Sequence, residues 1–144
     1  MNSVQHIAFN CRDIKRQEQV FTRHFGFRRA RVFNAGTADE FIMLRLGSTC
    51  LELFSARESG ASPGEQTVGF KHLAFEVPDL EVAIANLHTD GIETEPIIDC
   101  GSVVPGLRVC FFLDPEGNRI ELMQGYQDQI LESSLPNRLL HRTQ

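Results

Sequence analysis

The sequence predicts an α+β fold made of two repeats of one βαβββ unit. Two observations carry this: the chain resembles itself, and each half passes from period-2 patterning to helical patterning and back. Val4–Ile14 (VQHIAFNCRDI) aligns with Phe70–Leu80 (FKHLAFEVPDL), setting His6 against His72, Ala8 against Ala74, Phe9 against Phe75 and Asp13 against Asp79. Towards the end of each half, Leu51-Glu52-Leu53 aligns with Ile120-Glu121-Leu122. Only a short loop insertion separates the two registers.

Each half opens with an alternating strand, at 3–10 and 69–77. In the first half Asp13 caps a helix whose apolar stripe is Val20, Phe21, His24 and Phe25, and Gly26 stops it. Extended segments follow at roughly 28–34, 40–46 and 49–55. In the second half Asp79 caps, Leu80, Ala83, Ile84 and Leu87 share one face, and Gly91 stops the helix. Strands are expected at 92–98, 107–113 and 118–124, the last two joined by the turn Asp114-Pro115-Glu116-Gly117-Asn118.

The expected organisation is a single domain over 1–126, with module one at 3–55, a polar Gly/Ser/Pro-rich linker at 56–68 and module two at 69–125. A tail at 127–144 follows, with a short helix around Gln129–Leu135 that Pro136 interrupts. At 144 residues, with 42% hydrophobic and 23% charged residues, the chain has ordinary globular composition and is not a disordered or low-complexity protein. A net charge of −5 is a poor footprint for nucleic acid or an anionic membrane. No apolar run approaches the ~18 residues of a membrane-spanning helix, and no secretory signal is visible. Cys11, Cys50, Cys100 and Cys110 form no CxxC pair and read as reduced thiols. The expectation is a soluble, cytoplasmic protein acting on a small molecule.

Strand parity separates core from candidate site. Ile7, Phe9, Leu51 and Leu53, with Leu73, Phe75, Ile120 and Leu122, should face the helices. His6, Glu52, His72 and Glu121 then project the other way, with Ala8 and Ala74 leaving room beside the histidines. A single strand histidine is ordinarily a core or rim residue, and a lone glutamate between leucines a solvated face. Repetition of a costly polar set argues instead for metal ligation. Imidazole and carboxylate donors without cysteine suit one divalent ion among Ni, Zn, Co, Mn and Fe. His24, His88 and His141 carry no such signal.

The paired units, the four residues and the stretch DPEGNRIEL (114–122) resemble the vicinal oxygen chelate superfamily, which includes glyoxalase I, bleomycin-resistance proteins, fosfomycin-resistance enzymes and extradiol dioxygenases. The resemblance covers roughly 3–125. It implies a mixed sheet curled around one metal cleft and association as a homodimer, since in glyoxalase I the site lies between two chains. The full His/Glu/His/Glu set resembles glyoxalase I most closely. It implies a metal-dependent lyase or isomerase that handles two adjacent substrate oxygens through an enediolate, with Glu121 as principal base and Glu52 assisting, the symmetry of the repeat leaving the reverse assignment open. An Fe(II)-dependent dioxygenase and a non-catalytic small-ligand binding protein are the alternatives.

One departure concerns glutathione. Bacterial glyoxalase I places Arg four residues after its first metal-binding His and Asn four after its first metal-binding Glu; here those positions are Asn10 and Ala56. A glutathione carboxylate loses its bidentate partner unless Arg12 turns inward. Arg28, Arg29 and Arg31 read as a charged, solvated edge strand, with an anionic substrate group as the other reading.

Overall fold

The computed structural model describes residues 2–58, 60–61 and 66–129. Its elements run β1 (His6–Cys11), α1 (Ile14–Phe25), β2 (Arg28–Phe33), β3 (Phe41–Leu46), β4 (Thr49–Ser55), β5 (Leu73–Glu76), α2 (Leu80–Thr89), β6 (Ile98–Asp99), β7 (Arg108–Leu113) and β8 (Arg119–Gln124). They form two four-stranded sheets of equivalent order, β1-β4-β3-β2 and β5-β8-β7-β6. In each sheet the first and last strands of the module pair in parallel, and the other neighbours are antiparallel. The repeat seen in the sequence is therefore a repeat of topology. All but the first residue of the tail helix expected around Gln129–Leu135, and parts of the linker, lie outside the described residues.

The helix signals act as local chemistry requires. Asp13 Oδ1 accepts the Arg16 N–H at 3.1 Å, and Asp79 Oδ1 accepts that of Val82 at 2.9 Å. Gly26 takes the left-handed conformation (φ 75°), and the Phe27 N–H returns to the Phe21 carbonyl at 3.3 Å. The strand expected at 92–98 is mostly absent. Thr94 makes an isolated bridge to Phe112, and the Glu95 N–H reaches the Phe111 carbonyl at 2.8 Å. Pro96 has no N–H to continue that ladder, so pairing resumes only at Ile98.

Each sheet buries one face beneath its helix. Phe9, Phe21, Phe27, Ile42, Leu44, Leu51 and Leu53 make the first core, and Leu80, Leu87, Cys110, Phe112, Ile120 and Leu122 the second. The two cores meet at α1. Val20 packs in the second core, and Phe25 stacks on Phe75 and Phe112 with centroids 4.0 and 6.1 Å away. His24, on the same stripe, is buried against Asp90 with Nε2 2.6 Å from Oδ2.

The turn Asp114–Asn118 fastens module two to the start of α1. Asp114 is buried and accepts four bonds, from Gln17 Nε2 (2.6 Å), the Glu116 N–H (3.0 Å), the Asn118 N–H (2.8 Å) and Asn118 Nδ2 (2.9 Å). Glu116 reaches back to Arg12 Nε at 3.3 Å and to the Asp13 N–H at 2.9 Å. Burial pushes the Glu116 carboxyl up, but donation from Arg12 and Asp13 outweighs it and holds the group below the usual carboxylate range. Cys11 lies beneath these acids. Burial, then Glu116, Asp114 and Asp13, push its thiol up to about 12, so it is an inert packing residue.

Candidate metal centre

The face of each sheet turned away from its helix carries the candidate ligands. Across the first sheet, one row holds His6, Cys50, Arg45 and Arg28, and the next holds Ala8, Glu52, Met43 and Arg31. A third row runs from Asn10 to Phe54, Phe41 and Phe33, whose rings stack with centroids 4.2 and 4.4 Å apart. The His6 Nε2 lies 3.3 Å from Glu52 Oε2, and its other nitrogen, Nδ1, lies 2.5 Å from Gln5 Oε1. The tautomer protonated at Nδ1 would donate to Gln5, fixing the ring, and would leave the Nε2 lone pair for a metal.

The second sheet repeats this pair. His72 directly precedes β5, and its Nε2 lies 2.7 Å from Glu121 Oε2. Ala74 and Phe111 flank Glu121 in the register of β5, β8 and β7. The His72 ring meets Phe111 edge-on at 5.6 Å. Arg119 lies over the other side of this arrangement, with Cζ 4.0 Å from the Phe111 centroid and a guanidinium nitrogen 2.7 Å from Glu95. This pair is the more enclosed: the His72 and Glu121 side chains are 21% and 15% exposed, against 44% and 13% for His6 and Glu52.

All four predicted ligands thus lie on the open faces, but one chain groups them as two pairs. Among the described residues no three His, Cys, Asp or Glu side chains converge closely enough to hold one ion. Each pair sets an imidazole nitrogen beside a carboxylate oxygen, 3.3 Å apart in the first sheet and 2.7 Å in the second. That donor chemistry fits half of a four-ligand site for a divalent ion.

The remaining candidates separate cleanly. Asn10, Arg12, Ala56, Glu58, Glu116 and Asn118 line a cleft of about 560 Å³ between the modules. The Arg12 guanidinium is tied there to the Glu116 carboxylate and, at 3.2 Å, to its carbonyl. It is not offered to a ligand carboxylate. His72, Phe70 and Arg119 line a neighbouring cleft of about 470 Å³. Arg29 turns to the helix side and pairs with Glu18 on α1 through two bonds, at 2.7 and 2.5 Å. Arg45, Phe111, Arg119 and Gln5 were not singled out from the sequence. Strand parity places Arg45 beside Met43, but its partner strand is known only once the sheet is assembled.

Duplicated βαβββ modules with equivalent His–Glu pairs on their open faces define a recognised architectural class. Residues 3–122 match the Glyoxalase/Bleomycin resistance protein/Dioxygenase superfamily, and the chain belongs to it. It is 34% identical over 133 residues to the uncharacterized protein YwkD of Bacillus subtilis (strain 168), covering 86% of this chain and 98% of that one. The crystal structure of a glyoxalase family protein from Enterococcus faecalis is similar with a TM-score of 0.69 at 33% identity, covering 84% of this chain and 96% of that one. A lactoylglutathione lyase from Agrobacterium tumefaciens shares the fold with a TM-score of 0.62 at 19% identity, covering 87% and 95% of the two chains.

Proposed function

We propose that this protein is a metal-dependent lyase or isomerase of glyoxalase type that acts on a small vicinal-dioxygen substrate. The observation that carries the reading is the repeated pairing of Nε2 with Oε2, at 3.3 Å for His6–Glu52 and 2.7 Å for His72–Glu121. Two donors per sheet call for a second copy of the chain, whose opposite sheet supplies the other pair. The working species is then a homodimer, with one ion held by His6 and Glu52 of one copy and His72 and Glu121 of the other. A divalent ion bound there supplies Lewis acidity for two adjacent substrate oxygens.

The chain's own residues do the proton work. Glu121 Oε2 takes the proton from the carbon beside those oxygens and returns it to the neighbouring carbon. Phe111 and the His72 ring beside it cover part of the carboxylate, whose side chain is 15% exposed, and keep it from being fully solvated. Glu52, on the other pair, assists. Reduced cysteines, net charge and the absence of a long apolar helix among the described residues support work in the cytoplasm.

The test is stoichiometric metal analysis after loading with Ni²⁺, Co²⁺, Zn²⁺, Mn²⁺ or Fe²⁺, followed by kcat on α-oxoaldehyde adducts. One ion per chain and a dimer by ultracentrifugation are expected. Glu121→Gln should lose ~10²–10⁴-fold in kcat at matched metal occupancy, and Glu52→Gln less. Binding of none of the five ions sinks the reading. Oxygen-dependent turnover of a catechol would replace it with a dioxygenase.

A further inference from the structure

Among the described residues, Arg12, Arg23, Arg29, Arg57, Arg108 and Arg119 each have a carboxylate partner. Arg16, Arg28, Arg31 and Arg45 have none, and the last three share one patch of one sheet face. The arrangement depends on a β-bulge. Arg29 pairs with Leu44 and Arg31 with Met43, leaving Ala30 as an extra residue. In a regular strand Arg28 and Arg31 would point to opposite faces; the bulge brings both to the open side. Arg28 lies directly opposite Arg45, and Arg31 is opposite Met43, whose other neighbour is Glu52.

Two like charges directly opposite in a sheet destabilise it. An oxyanion between the forks reverses the sign, because guanidinium groups bind phosphate and carboxylate through parallel N–H donors. Arg31 is steadied for that role, with Cζ 5.6 Å from the Phe33 ring, which stacks on Phe41.

We propose that Arg28, Arg31 and Arg45 form an oxyanion subsite that holds a phosphate or carboxylate on the substrate, one row from Glu52. This rests on the reading of that face as the substrate side and narrows the substrate class to acidic vicinal-dioxygen compounds. Arg29, adjacent in sequence, takes no part because it faces α1.

The test is calorimetric titration of the full chain as wild type, as the double variant Arg28→Ala/Arg45→Ala and as Arg16→Ala, a control on α1. All three positions are exposed, and matching thermal unfolding confirms that the variants fold. Inorganic phosphate is titrated into metal-free protein. Acetohydroxamate, succinohydroxamate and phosphoglycolohydroxamate, which all present adjacent oxygens, are titrated into Ni²⁺-loaded protein. Phosphate should bind the metal-free wild type, more weakly as salt rises. The double variant should lose about tenfold or more, the scale of one charge-assisted contact, and Arg16→Ala should lose nothing. At least one acidic hydroxamate should bind about tenfold tighter than acetohydroxamate, and which of the two does so tells phosphate from carboxylate. That preference should vanish in the double variant.

Equal phosphate affinity in the double variant and the control, or no phosphate binding by the wild type, overturns the subsite. So does a double variant that falls from dimer to monomer with phosphate binding intact, which would make the arginines a contact between copies. If phosphate binding depends on the arginines but no hydroxamate binds loaded protein, the subsite stands and the reading of a vicinal-dioxygen substrate falls.

Discussion

Asp114→Ala removes the acceptor for four donors at once, and its cost can be worked from their surroundings. The Glu116 and Asn118 N–H groups belong to a turn that water can reach after modest opening. Gln17 Nε2 cannot escape: its side chain is completely buried and its 2.6 Å bond to Asp114 Oδ2 crosses between modules. An unsatisfied buried donor costs ~1–3 kcal/mol, and the turn's lost charge-assisted bonds add ~1–2 kcal/mol net of rehydration. A loss of ~2–5 kcal/mol is expected, a large share of a small domain's ~5–15 kcal/mol. Asp114→Asn should be milder, for a reason visible in the structure. Gln17 Oε1 is buried without a hydrogen-bond partner. Rotating the Gln17 amide would let that oxygen accept from the new side-chain amide, limiting the loss to ~1–2 kcal/mol. Urea unfolding followed by far-UV circular dichroism measures both. A loss below ~1 kcal/mol for Asp114→Ala, or equal losses for the two variants, would show that the Gln17 bond does not fasten the modules.

Phe25→Ala should cost ~2–3 kcal/mol by calorimetry, at the low end for a large aromatic because Phe25 is half-buried. Glu116 is held below its ordinary value of 4.5, so its contribution to stability is present above that value and fades as pH falls through the lowered one. The gap in Tm between wild type and Glu116→Gln should therefore be constant near neutrality and close below about pH 4.5. With Asn10 and Ala56 in the cleft and Arg12 bound to Glu116, kcat/KM on the methylglyoxal–glutathione adduct should fall below the ~10⁴–10⁸ M⁻¹s⁻¹ of enzymes on their own substrates. A value inside that range would show that another group holds the glutathione carboxylate.

What could be read from the sequence was what depends on near neighbours. Asp13, Asp79 and Gly26 declare helix ends by chemistry acting within a few residues, and alternation around Glu52 and Glu121 names the open face. Pro96 also lay in plain view, yet its effect on the strand at 92–98 depends on where the partner's ladder runs. The arginines show the limit more sharply. Arg28, Arg29 and Arg31 form one cluster in sequence, but the bulge at Ala30 splits them between faces and recruits Arg45 from the next strand. Likewise the Asp114–Asn118 turn was legible as a turn, while its grip on Gln17 spans 97 residues and leaves no local trace.

Because α1 lends Val20 and Phe25 to the neighbouring module, neither half owns a complete interior. A chain severed at Gly60, which is exposed, should behave as two dependent fragments. The carboxy-terminal piece alone would present Phe75 and Phe112 without their lid, and the amino-terminal piece would carry bare apolar surface along its helix. Mixed in equal amounts they should reassemble and melt in a single cooperative step. The duplication that built this chain therefore left two sheets that cannot be traded as modular cassettes.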